Sequence, residues 1–282
     1  MKIYFILIPL FLVVHHPLSS STDVCVLYIT QTKYVQPIGR TIATRFTPPK
    51  GFERLKVDEF SFAYYLRNLP LKEHGSRVLY FDGREKSNNQ VYDAVVNVPI
   101  GKKDLHQCAD AVMHLRARYL YEQNRKEEIQ FKFTNGFTAS YAKWKEGNRI
   151  IVNGDNVQWK KTTNPTDSEQ IFWKYLETVF SYAGTLSLSK ELKTKEITNL
   201  EIRDVFIQGG SPGHAVIVVD MVHRKLDGKK MFLLAQSYMP AQEIQILKNP
   251  ANPDLSPWYE ADFSQLLYTP EWTFKREDLK GF

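Results

Sequence analysis

Three residues in this chain have the types and the order that acyl-transfer chemistry at a thiol requires. Cys108, in the segment DLHQCADAV, falls in the first turn of a helix expected over Leu105–Glu122. Free backbone amides and the positive end of the helix dipole stabilise a thiolate there and make it more nucleophilic. His214 follows the turn Gly209-Gly210-Ser211-Pro212-Gly213 and opens the apolar run AVIVV, whose length and β-branching predict a strand buried on both faces. A ring at the mouth of such a strand is held rigidly beside a flexible loop that a ligand can approach. Gln236, on the next strand, can orient the imidazole. Asp220 cannot, because it lies roughly 20 Å along the His214 strand at ~3.3 Å per residue. Cys108 as nucleophile, His214 as base and Gln236 as orienting group make a cysteine hydrolase. The Cys108 amide, with the Gln107 side chain, is the expected oxyanion donor, and Asp204 the expected support for the turn before the histidine strand. The same residues also fit a quieter role. Buried free cysteines commonly act as small hydrophobes, His214 can simply close its turn, and Gln236 can serve only as a strand hydrogen-bonder.

A second group of residues suggests binding rather than reaction. Gly209, Gly210 and Ser211 form a loop that can touch a ligand, and Tyr141 and Trp144 belong to an aromatic and basic stretch suited to a glycan or peptide platform. Such aromatics also commonly cover a small sheet. His106, His114 and His223 show no zinc-ligand spacing, so no metal is expected. The glycine loop precedes a strand rather than a helix, so it lacks the amide array that holds nucleotide phosphates, and no cofactor is expected. The 37 Lys and Arg against 31 Asp and Glu give a formal charge of +6. These basic residues are scattered rather than set in a stripe, which argues against a nucleic-acid partner.

Residues 1–21 combine an early lysine, an apolar run and a serine cluster, the form of an export signal. That run is shorter than the ~20 residues of a spanning helix, so no stable membrane insertion is expected once it is cut; a retained anchor is the alternative. The expected location is periplasmic or extracellular. In that setting Cys25 and Cys108 could pair, which would remove the thiol chemistry. Residues 22–55 read as an extended arm and 56–282 as a single α+β domain, with an inserted small β region at about 125–168. Asp104 and Gln107 have capping-box spacing for the Leu105 helix. A second helix is expected over Glu169–Tyr182. Strands are expected at Arg77–Phe81, Val91–Val98, Asp204–Gln208, Ala215–Val219, Met231–Tyr238 and Glu243–Leu247.

The segments DLHQCADAVMHLRARYLY, FTNGFTASYAKWKEGNRI, DVFIQGGSPGHAVIVVD, FLLAQSYMPAQEIQILKNP and LSPWYEADF resemble the bacterial family known as domain of unknown function 4846, over roughly Phe62 to Phe274. That resemblance implies an exported protein and supplies no activity. The chain also resembles, more loosely, the papain-like cysteine amidases of the NlpC/P60 type. Their histidine strand follows an acidic strand start and a glycine-rich turn, as Asp204 and Gly209–His214 do here, and their cysteine opens an earlier helix. The chain departs from them in carrying Gln107-Cys108-Ala109-Asp110 for the usual Asp-Cys-Ser-Gly, and in a longer cysteine-to-histidine separation. The resemblance implies a papain-like antiparallel sheet packed on an N-terminal helix. The expected activity is a thiol hydrolase or acyltransferase acting on an amide or ester of the cell envelope. The alternative is a non-catalytic envelope domain that binds glycan or peptide on the same scaffold; a structural or partner-docking role suits the Pro- and aromatic-rich tail.

Overall fold

A computed structural model describes residues 33–282, so the expected export signal, Cys25 and the first part of the expected arm lie outside the described residues. Along the chain come α1 (Ile42–Arg45), β1 (Glu53–Arg54), α2 (Phe62–Arg67), β2 (Tyr92–Val95) and α3 (Cys108–Glu122). Two small hairpins follow, β3 (Gln130–Lys132) with β4 (Thr138–Ser140), and β5 (Asn148–Asn153) with β6 (Asn156–Lys161), separated by α4 (Tyr141–Lys145). After α5 (Glu169–Tyr182) and α6 (Thr185–Glu191) the chain turns to strands: β7 (Lys193–Thr194), β8 (Val205–Gln208), β9 (His214–His223), β10 (Lys230–Gln236), β11 (Gln245–Leu247) and β12 (Tyr259–Glu260). A last hairpin, β13 (Leu266–Tyr268) with β14 (Thr273–Lys275), precedes β15 (Leu279–Gly281).

Nine of these strands form one antiparallel sheet in the order β2-β11-β10-β9-β8-β15-β7, with β1 also paired to β9 and β12 to β10. Its long central member is β9. The β-branched run in β9 is buried along its whole length except at His223, which requires cover on both faces of the sheet. The cover includes α2 and α3, which pack against β9. In α3 the expected apolar face of Val112, Leu115 and Tyr119 is buried, and so are Ala111, Met113 and Ala117. The helix is therefore wedged into the core, and its alanines let the neighbouring backbone approach closely.

Three sequence expectations change. The arm is not an outlying extension over its described part: α1 and β1 lie within it, and Ile42 and Phe46 are fully buried. The helix opens at Cys108 rather than Leu105, with Gln107 as its cap residue. Asp104 instead accepts from the backbone amide of Ala241, 2.7 Å away, so a tertiary contact has taken the capping oxygen. The expected strand at Arg77–Phe81 is reduced to isolated bridges, Leu79 with Glu85 and Tyr80 with Gln242. The small β region consists of the β3–β4 and β5–β6 hairpins, each apart from the main sheet. Among the described residues no helix is long and apolar enough to cross a membrane.

Candidate active site

Cys108 is the first residue of α3 and carries a free thiol. The helix start is built around it. Asp110 reaches back to accept the Gln107 amide at 3.0 Å, and the Gln107 side chain donates to Asp104 at 3.2 Å. The sulfur is packed on most sides, yet the residue remains partly open to a cleft. Burial pushes its pKa up to about 11, with a further push from the Asp110 carboxyl; the amides of Ala109, Ala215 and Cys108 itself pull the other way. Burial likewise raises the Asp110 carboxyl to about 8. At neutral pH the resting thiol is therefore protonated. The dipole argument placed helpful amides near the sulfur, but desolvation of the charged form outweighs them.

His214 opens β9 directly opposite Gln208 of β8. The glycine loop between these strands is pressed against α6. A Cβ on Gly213 would stand 2.5 Å from Thr185 Oγ1, 2.6 Å from the Gly210 carbonyl oxygen and 2.8 Å from that of Gln208. The Thr185 hydroxyl donates to the Gly210 carbonyl at 3.2 Å and accepts its amide at 3.3 Å, clipping the loop in place. Gly213→Ala must move two backbone carbonyls, so it is expected to cost ~1–3 kcal/mol. The loss would be read as a lower urea midpoint at unchanged slope.

The His214 ring lies 1% exposed among three aromatics, with centroids 4.8 Å from Tyr238, 5.4 Å from Trp272 and 5.9 Å from Phe274. Its Nε2 is 2.8 Å from Gln236 Oε1. Burial lowers its pKa to about 4; the nearby Lys86 charge adds to this, and the Gln236 bond opposes it. Gln236 in turn donates from Nε2 to Glu271 at 2.7 Å. Lys86 donates to both Glu271 carboxylate oxygens, at 2.8 and 2.7 Å.

One cleft of about 550 Å³ gathers Cys108, His214, Gln107, Gly210 and Ser211, with Tyr238 and Trp272 on its wall. Gln236 stands behind the histidine. Gly209 is not part of the wall and packs against Ser189 of α6. Among the described residues no hydrogen bond joins the Cys108 thiol to the His214 ring. Asp204 lies elsewhere: its carbonyl accepts the Val218 amide, four residues and ~13 Å along β9 from His214. Its side chain is paired with Lys195 at 2.7 Å and accepts the Glu201 amide at 2.8 Å, so it anchors the strand entry and takes no part in the cleft. Tyr141 and Trp144 are 0% and 5% exposed. They pack edge-on against Tyr175, and with no open face they form no ligand platform. The residues that sequence reasoning missed are Lys86, Tyr238, Glu271 and Trp272. Strand spacing could have found Tyr238, two residues beyond Gln236 and on the same side of an extended chain.

The family described as Domain of unknown function (4846) matches residues 42–281, and the chain belongs to it. No curated protein and no solved structure matches the chain.

Proposed function

We propose that this member of the family is an exported, papain-like thiol hydrolase or acyltransferase acting on an amide or ester of the cell envelope. The observation that carries the reading is the 2.8 Å contact of His214 Nε2 with Gln236, made by a histidine that shares one cleft with a free cysteine at a helix start. Export rests on the form of residues 1–21, and the envelope as source of substrate follows from it.

In this reading Nδ1 of His214 takes the thiol proton as the Cys108 sulfur adds to the substrate carbonyl carbon. The negative charge moves to the carbonyl oxygen, where the Cys108 amide donates to it. The Gln107 side chain joins by leaving its 3.2 Å bond to Asp104. Collapse breaks the bond to the amine or alcohol, which leaves with the proton returned by His214, and the acyl group stays on sulfur as a thioester. His214 then takes a proton from water, or from an acceptor hydroxyl or amine. That nucleophile displaces the sulfur, giving the acid or the transferred acyl product and restoring the thiol.

Because thiol and imidazole both rest neutral, the proton moves during attack rather than before it. Below its pKa the ring is protonated and cannot accept, so the rate falls as acid is added and levels off above it until the Asp110 carboxyl beside the sulfur ionises near pH 8. With His214 held at about 4, the acidic midpoint of kcat/KM is expected near pH 4 rather than near 6.5. The test is incubation with a p-nitrophenyl acyl ester and intact-mass analysis. The expected result is one acyl mass on Cys108, with release of p-nitrophenol persisting to pH 5. Mass addition no faster than on a free peptide thiol overturns the reading.

The raised thiol pKa favours a second reading, in which the cleft binds envelope glycan or peptide without reacting. It predicts retained ligand binding with no acyl mass at Cys108.

A further inference from the structure

The hydrogen-bonded row behind His214 ends in an ion pair that dictates which nitrogen of the ring carries the proton. A carboxylate has no hydrogen to give. Glu271, ionised beside the Lys86 ammonium at 2.7 Å, can therefore only accept, and the Gln236 group facing it must be the NH₂. The amide oxygen of Gln236 is then left for His214, and an amide oxygen also only accepts. So His214 Nε2 must be the N–H, and in a neutral imidazole Nδ1 is left with the lone pair. Both inner members of the row are closed to water: Gln236 is 2% exposed and His214 1%. The Lys86 and Glu271 side chains are 3% and 15% exposed.

We propose that Lys86 and Glu271 are positioning residues whose ion pair locks Gln236 in one orientation and holds His214 as its Nε2–H tautomer. Without the ion pair the row can reverse. A neutral partner at position 271 can offer a hydrogen to the Gln236 oxygen; the NH₂ then faces Nε2, and the ring proton moves to Nδ1. A ring in that state cannot take a proton at Nδ1. Lys86 is needed as well as Glu271, because its ammonium donates to both carboxylate oxygens, at 2.8 and 2.7 Å, and holds them in place as acceptors. Neither residue lines the cleft, although the Lys86 ammonium lies over the Tyr238 ring of its wall, 5.6 Å from the centroid. The consequence for rate rests on the reading of His214 as base, whereas the tautomer itself does not.

The experiment is nitrogen and carbon NMR of histidine-labelled protein at pH 7, with the His214 signal assigned by comparison with His214→Ala. The wild type is expected to show the Nε2–H tautomer. Glu271→Gln keeps the shape but supplies a group able to donate, and is expected to give a mixed or Nδ1–H signal. Lys86→Met is expected to do the same in part, and Lys86→Arg to restore the wild-type signal. In the p-nitrophenyl ester assay Glu271→Gln is expected to lower kcat by about 10- to 10⁴-fold, since a wrong tautomer can cost ~10⁴-fold, while KM stays within about 2-fold. An Nδ1–H tautomer in the wild type overturns the proposal without need of any variant. So does an unchanged signal in folded Glu271→Gln. If the protein turns over no ester but the tautomer responds as stated, the catalytic reading fails and the lock stands.

Discussion

Replacing Cys108 by alanine is expected to abolish ester turnover, because no other group in the cleft can form the thioester. His214→Ala is expected to lower kcat/KM by about 10²- to 10⁴-fold, the usual contribution of a general base. The double variant should be no slower than Cys108→Ala alone, since residues that act as one unit are not additive. The sulfur is packed on most sides but opens to the cleft on one, so its removal enlarges the cleft rather than leaving a sealed void. The unfolding free energy of Cys108→Ala should therefore stay within ~1 kcal/mol of wild type. The two measurements together separate chemistry from packing. If Cys108→Ala retains turnover, the sulfur is not the nucleophile. If it loses turnover and several kcal/mol of stability together, the sulfur serves the core.

What the sequence disclosed about this site follows from how far each cause acts along the chain. His214 was legible because what fixes its place on the strand is local: a glycine turn before it and a β-branched run after it. Cys108 was legible as belonging to a helix start, but the helix begins three residues later than the spacing predicts. Asp104 has the right type for a cap, and only the fold reveals that Ala241 occupies its oxygen. The thiol pKa departs from the sequence expectation for a related reason. Amides near a helix start can be counted from sequence, whereas burial by the glycine loop and the sheet cannot. Lys86 and Glu271 are 185 positions apart and meet only through tertiary structure. No periodicity marks either one, and Glu271 sits in a tail whose prolines and aromatics gave no sign of the histidine it supports. Tyr141 and Trp144 erred in the opposite direction. Aromatics beside lysines suggested a surface platform, yet α4 buries both rings under α5, with Tyr141 donating to Asp167 at 2.8 Å.

Asp220→Ala is expected to cost ~3–5 kcal/mol of stability, the range for removing one partner of a buried ion pair. Asp220 is fully buried on β9. One of its oxygens accepts Arg54 Nε at 2.8 Å; the other accepts Arg67 Nε at 2.6 Å and the Met221 amide at 2.9 Å. The two arginines come from β1 and α2 and continue to backbone carbonyls, Arg54 to Phe46 and Arg67 to Leu55 at 2.9 Å. One carboxylate thus fastens two early segments to the central strand. Its removal leaves Arg67, 8% exposed, as an uncompensated charge. Adding Arg67→Met to Asp220→Ala should recover part of the loss, because the second change removes a stranded charge rather than a favourable contact. Urea unfolding of the single and double variants reads this directly. A double variant as unstable as the sum of the two singles would mean that the cost lies in packing. Acylation of Cys108 in the folded fraction should be unaffected in either case. Asp220 and His214 share β9 but lie roughly 20 Å apart, so the strand that carries the proposed base also carries the anchor of the scaffold, at its other end.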